Sequence, residues 1–388
     1  MKALVLSGGG ARGAYQVGVI RAIGEIAHEN KVIDPFQVLC GVSAGAINAT
    51  FLASECHQFH RATEKLVDLW ASLTSDQVFH TDVLSMSRIG LKWMSELSLG
   101  GFKSSLNPAE GRSLLNTEPL SDLLRKNMIF ENIQENLDEG RIKALAITAL
   151  EYQTSETITF VQGADDTPSW EKPRRRSEKT IIRPEHVMAS SSIPLLFPST
   201  QVGHRHFGDG CVRNNAPLSP ALHLGASELL VIGVRLQKEI STPPGTSLSK
   251  TPSVARVANV LLNSVLLDGV EVDFERLQRI NEFIRRVPEA HHTRLNFKPV
   301  HALFISPSED IGRIAAEMSS RLPRVIRYLL KGLGPLNEAS EIISYLLFEK
   351  AFTSRLIEMG YQDGMAQKKE ITRFLLESRP QSLDWEGF

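Results

Sequence analysis

Twice within its first 55 residues the chain runs an apolar, strand-like segment into a glycine-bearing turn and then into a helical pattern. KALVL (2–6) leads through SGGGARG to a stretch whose Val19, Ile20, Ile23, Ile26 and Ala27 fall on one helical face. FQVLCGV (36–42) then runs straight into SAGAINATFLA (43–53), whose small residues suit a helix packed closely on a sheet. Strands joined through one helix lie parallel, so the pattern predicts a layered α/β fold with a mostly parallel central sheet. Further strands are expected at IKALAITAL (142–150), ETITF (156–160), ELLVIGV (228–234) and ALFIS (302–306). Residues 60–130 read as mainly helical, and so does most of the chain beyond 253. Between these regions, QKEISTPPGTSLSKTP (237–252) carries three prolines among Ser, Thr and Gly and reads as a linker.

The glycine cluster itself serves two chemistries. Gly8, Gly10 and Gly13 satisfy the G-x-G-x-x-G spacing of a dinucleotide-binding turn, and Asp34 stands where a ribose-binding acid would. The same amides can instead hold the oxyanion formed when an ester carbonyl is attacked. The next turn separates the two. Residues 41–45, GVSAG, match G-x-S-x-G between a strand and a helix, the context of a nucleophile elbow. Gly41 and Gly45 leave room for the neighbouring helix and strand, and the helix N-terminus aims its positive end at Ser43. A serine hydroxyl needs a base to take its proton. HFGDGCVRNNAPLSPA (206–221) offers Asp209 between two glycines, a carboxylate on a sharp turn, although an ordinary Asp-Gly turn has the same appearance.

SGGGARGAYQVG, GVSAG, ASSSIPLLFPS and FGDG with NNAPLSPA, in this order, resemble the patatin-like phospholipase family, including its bacterial acyl hydrolases. The likeness is specific over residues 1–225 and weaker at SYLLFEKAFTSRLIEMGYQDG (344–364). It implies a three-layer sandwich with a helical C-terminal region, residues 1–236 forming the catalytic domain and 253–388 completing or capping it. It further implies Ser43 as nucleophile, Asp209 as its base, Gly8, Gly9, Gly10, Arg12 and Gly13 as the oxyanion loop, and no cofactor or metal. Gly210 and Cys211 stand where the family usually has Asp-Gly-Gly or Asp-Gly-Ala, and a cysteine is small enough to preserve that turn. The expected function is cleavage of fatty acyl esters of phospholipids or lysophospholipids through an acyl-enzyme. Acyl transfer with the same dyad, a catalytically silent lipid-binding scaffold and a dinucleotide-binding protein are the alternatives.

Composition narrows the setting. With 42% hydrophobic and 22% charged residues the chain resembles an ordinary globular protein, and a net charge of −1 removes a global electrostatic case for nucleic acid. Cys40, Cys56 and Cys211 form no CxxC pair, which disfavours a disulfide framework and a zinc site. The first apolar run is too short for a signal peptide and no run reaches about 18 residues. A soluble, cytoplasmic protein is expected, with peripheral membrane contact left open and the oligomeric state undetermined. Three stretches could face a lipid: GLKWMSELSLGGF (90–102) as an apolar cap, EKPRRRSEKT (171–180) as a basic loop, and Leu195, Leu196 and Phe197 as pocket lining. A histidine triad is the rival mechanism, with His223, His291, His292 and His301 all following Asp209.

Overall fold

The structure, a computed structural model, describes residues 1–80, 115–237, 251–267, 269–287 and 298–377. Its strands are β1 (Lys2–Leu6), β2 (Val38–Val42), β3 (Ala144–Glu151), β4 (Glu156–Gly163), β5 (Glu171–Lys172), β6 (Arg175–Lys179), β7 (Thr200–Val202), β8 (Arg205–Asp209), β9 (Glu228–Ile232) and β10 (His301–Ile305). They form one sheet in the order β10-β9-β1-β2-β3-β4-β6-β5, with β8 also pairing β3 and β7 pairing β8. From β10 to β3 every pairing is parallel. Beyond β3 the sheet becomes mixed. The four residues between β3 and β4 are too few for a crossover, so that pair is antiparallel.

The helices that frame the site are α1 (Gly13–Glu29), α2 (Ala44–Glu55), α3 (Phe59–Ser72), α4 (Glu118–Asn127), α5 (Pro184–Ser190), α6 (Ser219–His223), α7 (Val254–Leu266), α8 (Gly269–Arg286), α9 (Arg324–Leu333), α10 (Ser340–Leu346) and α11 (Lys350–Ala366). Strand alternation sends Leu4, Leu6, Leu39, Leu145, Ile147, Leu230 and Ile232 into a core shared with α1, α2, α3 and α11. Ala3, Val5, Val38, Cys40, Ala144, Ala146, Leu229 and Val231 pack on the other face against α6 and α8. Burial on both faces explains why these strands read as unbroken apolar runs rather than as alternating ones. The result is a mostly parallel sheet between two helical layers, with a helical region after it.

Residues beyond 253 are woven into this body. β10 adds a parallel edge strand to β9. α11 lies backbone to backbone against α1, since a Cβ on Gly18 would stand 2.0 Å from the Ile357 carbonyl oxygen. The basic segment 171–180 is a correction to the sequence reading: it is the strand pair β5–β6, turning at Arg174, rather than a loop. The strand also compensates its own charge, with Arg176 ion-paired to Glu178 at 3.0 Å and to Glu156 at 3.2 Å. The apolar stretch 90–102 and most of the linker (238–250) lie outside the described residues. Among the described residues, no helix is long and apolar enough to cross a membrane.

Candidate active site

β2 ends in a sharp turn that delivers Ser43 to the N-terminus of α2. Ser43 has φ 55° and ψ −126°, a conformation that costs a non-glycine residue about 1–3 kcal/mol and persists only when its surroundings impose it. The surroundings are specific. Gly45 lies against β1, where a Cβ would stand 2.3 Å from the Leu6 carbonyl oxygen, and a Cβ on Gly41 would stand 2.2 Å from that of Gly45. The Ser43 N–H donates to Ser190 Oγ at 2.9 Å, and that hydroxyl donates to the Thr148 carbonyl at 2.6 Å. The last residue of α5 therefore pins the turn to β3.

Asp209 closes β8, opposite Ala149 of β3, and its N–H donates to the Ser192 carbonyl at 2.8 Å. The side chain is buried and accepts from the Cys211 N–H at 2.8 Å. The Ser43 and Cys211 side chains also stand beside this carboxylate and favour its ionised form. Burial dominates over these contacts and lifts the carboxyl to about 6. Gly210 allows the turn to pass close to β3, 2.2 Å from a Cβ position to the Thr148 carbonyl oxygen. The Cys211 thiol is buried against Gly8, and burial beside Asp209 drives its pKa well above the ordinary thiol range.

The glycine loop follows β1, the strand neighbouring β2, and so emerges beside Ser43. A Cβ on Gly8 would stand 2.9 Å from that of Ser43, while Gly10 takes φ 57° with its Cα packed under the Tyr345 carbonyl. Gly9 lies against Val234, and Gly13 sits under Trp70 and Ala44. Among the described residues, the N–H groups of Gly9 and Gly10 have no hydrogen-bond partner. In the same loop the Arg12 N–H donates to the Gly9 carbonyl and the Gly13 N–H to the carbonyls of Gly10 and Ala11. The Arg12 guanidinium turns away from Ser43, ion-paired with Glu341, donating to Ser344 Oγ at 2.7 Å and to the Val234 carbonyl at 3.3 Å. Burial lowers it only to about 10, so it stays charged at neutral pH. A buried relay of Trp70, Asn48 and Gln16 holds the other side, ending on the Ser7 carbonyl at 2.7 Å.

Ser43 and Gly10 stand in a narrow apolar cleft lined by Ile47, Leu73, Val78, Leu120, Phe197 and Phe348, among others. The cavity volume between these side chains is about 30 Å³. Of the expected lining residues Phe197 is present, whereas Leu195 is exposed at φ 69° because the Pro194 turn directs it outward. Asp34 precedes β2 while the glycine loop follows β1, so the two lie at opposite ends of parallel strands and cannot share a dinucleotide. No described histidine lines the cleft or acts on Asp209. His223 stacks on Trp170 and His301 opens β10, while His291 and His292 lie outside the described residues.

The model of one family, patatin-like phospholipase, matches residues 4–222, which includes every strand and turn just described up to α6. The chain belongs to the patatin-like phospholipase family. Lipid acyl hydrolysis is the activity that this membership supports. No curated protein matches the chain. Among solved structures, human GIVD cytosolic phospholipase A2 in complex with methyl gamma-linolenyl fluorophosphonate is 12% identical, with 97% of this chain and 59% of that one covered and a TM-score of 0.42. The type III effector ExoU of Pseudomonas aeruginosa is 17% identical, with coverages of 97% and 53% and a TM-score of 0.37. VipD from Legionella pneumophila is 14% identical, with coverages of 95% and 67% and a TM-score of 0.34. This chain thus spans about half to two thirds of those proteins, and similarity at that level carries no argument about its chemistry.

Several residues of this patatin-like site escape a motif search. Ser190 supports the elbow from a helix, and Asn48 and Gln16 support the loop from α2 and α1. Phe348, Tyr345 and two anchors of Arg12, Glu341 and Ser344, come from the C-terminal region, more than 100 residues after NNAPLSPA. The signal for Ser344, Tyr345 and Phe348 was the weaker family likeness of SYLLFEKAFTSRLIEMGYQDG (344–364).

Proposed function

We propose that the protein is a metal-independent serine esterase that cleaves fatty acyl esters of phospholipids or lysophospholipids. The observation that carries this reading is the placement of the Ser43 side chain, in the lining of an apolar cleft, beside the buried Asp209 carboxylate that burial raises to about 6. Ser43 Oγ attacks the ester carbonyl carbon while its proton passes to Asp209. The carbonyl oxygen becomes an oxyanion beside the unengaged amides of Gly9 and Gly10 and the N-terminus of α2. The tetrahedral intermediate collapses, the C–O bond to the lipid alcohol breaks, and that alcohol leaves with the proton from Asp209. Water then gives a proton to Asp209 and its oxygen to the acyl carbon, releasing the fatty acid and restoring Ser43.

A carboxylate near its pKa at neutral pH is a better base than an exposed aspartate, which is the advantage of burying Asp209. Residues 1–236 and 253–388 act as one catalytic unit in this reading, the second holding the oxyanion loop through Arg12. Free fatty acid release from a panel of phospholipids and lysophospholipids tests it, comparing wild type with a folded Ser43→Ala variant. Release confined to the wild type supports the reading, and equal release from both removes Ser43 from the mechanism.

A further inference from the structure

Two helices on the active-site end of the molecule present to solvent side chains that a helix normally buries. α7, VARVANVLLNSVL, has one charge in thirteen residues. Its inner face seats Ala255 and Leu266 in the core, yet Val254, Val257, Val260, Leu261 and Val265 on the outer side are 42–64% exposed. α9, RVIRYLLKGL, directs Ile326 and Leu330 inward and leaves Tyr328 78% exposed, with Leu329 and Leu333 exposed beside it. A helix facing water alone would carry polar residues there.

The charges on these two helices have one sign. Arg324, Arg327 and Lys331 recur at spacings of three and four, which places them in one stripe along α9 next to Tyr328. Arg256 adds a cation to α7, and neither helix has an acidic residue, although the whole chain carries a net charge of only −1. α7 and α9 are in contact, with Gly334 at the end of α9 set against Ser253 and Ala255 at the start of α7. α7 also packs on the turn Gly210–Arg213, directly after Asp209, and on α10, which grips Arg12.

We propose that the outer faces of α7 and α9 dock the protein onto the surface of an anionic lipid bilayer. Valine and leucine side chains enter the boundary between headgroups and acyl chains, Tyr328 sits at that boundary, and the basic stripe meets lipid phosphates. A second copy of this chain is the poorer occupant, because a two-fold contact through these helices brings two basic stripes together. Docking here brings the bilayer up to the elements that carry Asp209 and hold the glycine loop. The proposal takes its lipid from the function proposed above, but its test reads binding without turnover.

The purified full chain is sedimented with phosphatidylcholine vesicles and with vesicles in which phosphatidylglycerol replaces part of the phosphatidylcholine. Binding is expected on the anionic vesicles, weakening as salt is raised. Two variants, Val257→Asp with Leu261→Asp, and Arg324→Glu with Arg327→Glu and Lys331→Glu, are each expected to weaken it about tenfold or more. Circular dichroism, thermal unfolding and hydrolysis of a short water-soluble ester are expected to be unchanged in both. Wild-type failure to bind, or binding equal to wild type in both variants, overturns the proposal. So does a dimer in sedimentation velocity that the same substitutions dissolve, which would assign the face to a second copy. A protein that binds vesicles but hydrolyses nothing would overturn the proposed function and leave the docking face standing.

Discussion

Asp209→Asn separates the two consequences of burying a carboxylate, because it is expected to abolish catalysis while making the protein more stable. The carboxyl lies at about 6 in the folded protein against an ordinary value of 3.8, so the folded state binds its proton more tightly than the unfolded chain does. Stability is then full below about 3.8 and falls as pH rises toward about 6, where the buried charge is complete. The difference between those values corresponds to about 3 kcal/mol. Asparagine keeps an oxygen for the Cys211 N–H and carries no charge at any pH. Its amide N–H groups lack an evident acceptor, which takes back about 1 kcal/mol or more. The variant is therefore expected to exceed wild type by about 1–3 kcal/mol above pH 6, and by little near pH 4. Urea unfolding at a series of pH values, followed by tryptophan fluorescence, measures this gap directly. A gap that is flat with pH, or that favours wild type as pH rises, would refute the claim that burial governs Asp209. Retained esterase activity in the variant would refute its role as the base.

Two further outcomes follow from the same geometry. In the proposed mechanism ionised Asp209 accepts the Ser43 proton, so kcat/KM on a water-soluble ester is expected to be level above pH 6 and to drop about tenfold per pH unit below it. Arg12→Met leaves Glu341 without its cation and is expected to cost about 3–5 kcal/mol in chemical unfolding, with Arg12→Met and Glu341→Leu together recovering much of it.

The sheet and the elbow were legible because each obeys a local rule. A buried parallel strand has to be apolar throughout, and a strand-to-helix turn passing this close to β1 has to carry glycine, so KALVL, VLCGV and GVSAG could each be read alone. EKPRRRSEKT failed because its charges suggest a solvated loop. The acids that pair with Arg176 come partly from β3 and β4, which only the folded sheet brings within reach. Arg12 was visible as a cation in the glycine loop, but its orientation depends on Glu341 and Ser344, more than 300 residues away. Nothing in GGGARG distinguishes an arginine that meets substrate from one that anchors a loop.

That distance also explains why a C-terminal region without a chemical motif belongs to the site. Ser43 holds an unfavourable backbone conformation, Asp209 holds a buried carboxylate, and Ser191 and Tyr345 bury hydroxyl oxygens with no hydrogen-bond partner among the described residues. Each of these costs about 1–3 kcal/mol, and none relaxes only because its neighbours are fixed. Ser190 and the β2–β3 pairing fix the elbow from one side. The glycine loop has no side chains to fix itself, so its position depends on Arg12 reaching α10 and on α1 lying against α11. A loop of glycines can bring amides to an oxyanion only if something outside it removes the freedom that glycine confers. In this chain that constraint comes from the Trp70, Asn48 and Gln16 relay on one side and from residues 340–366 on the other, and the latter read as ordinary helix because their work is packing rather than chemistry.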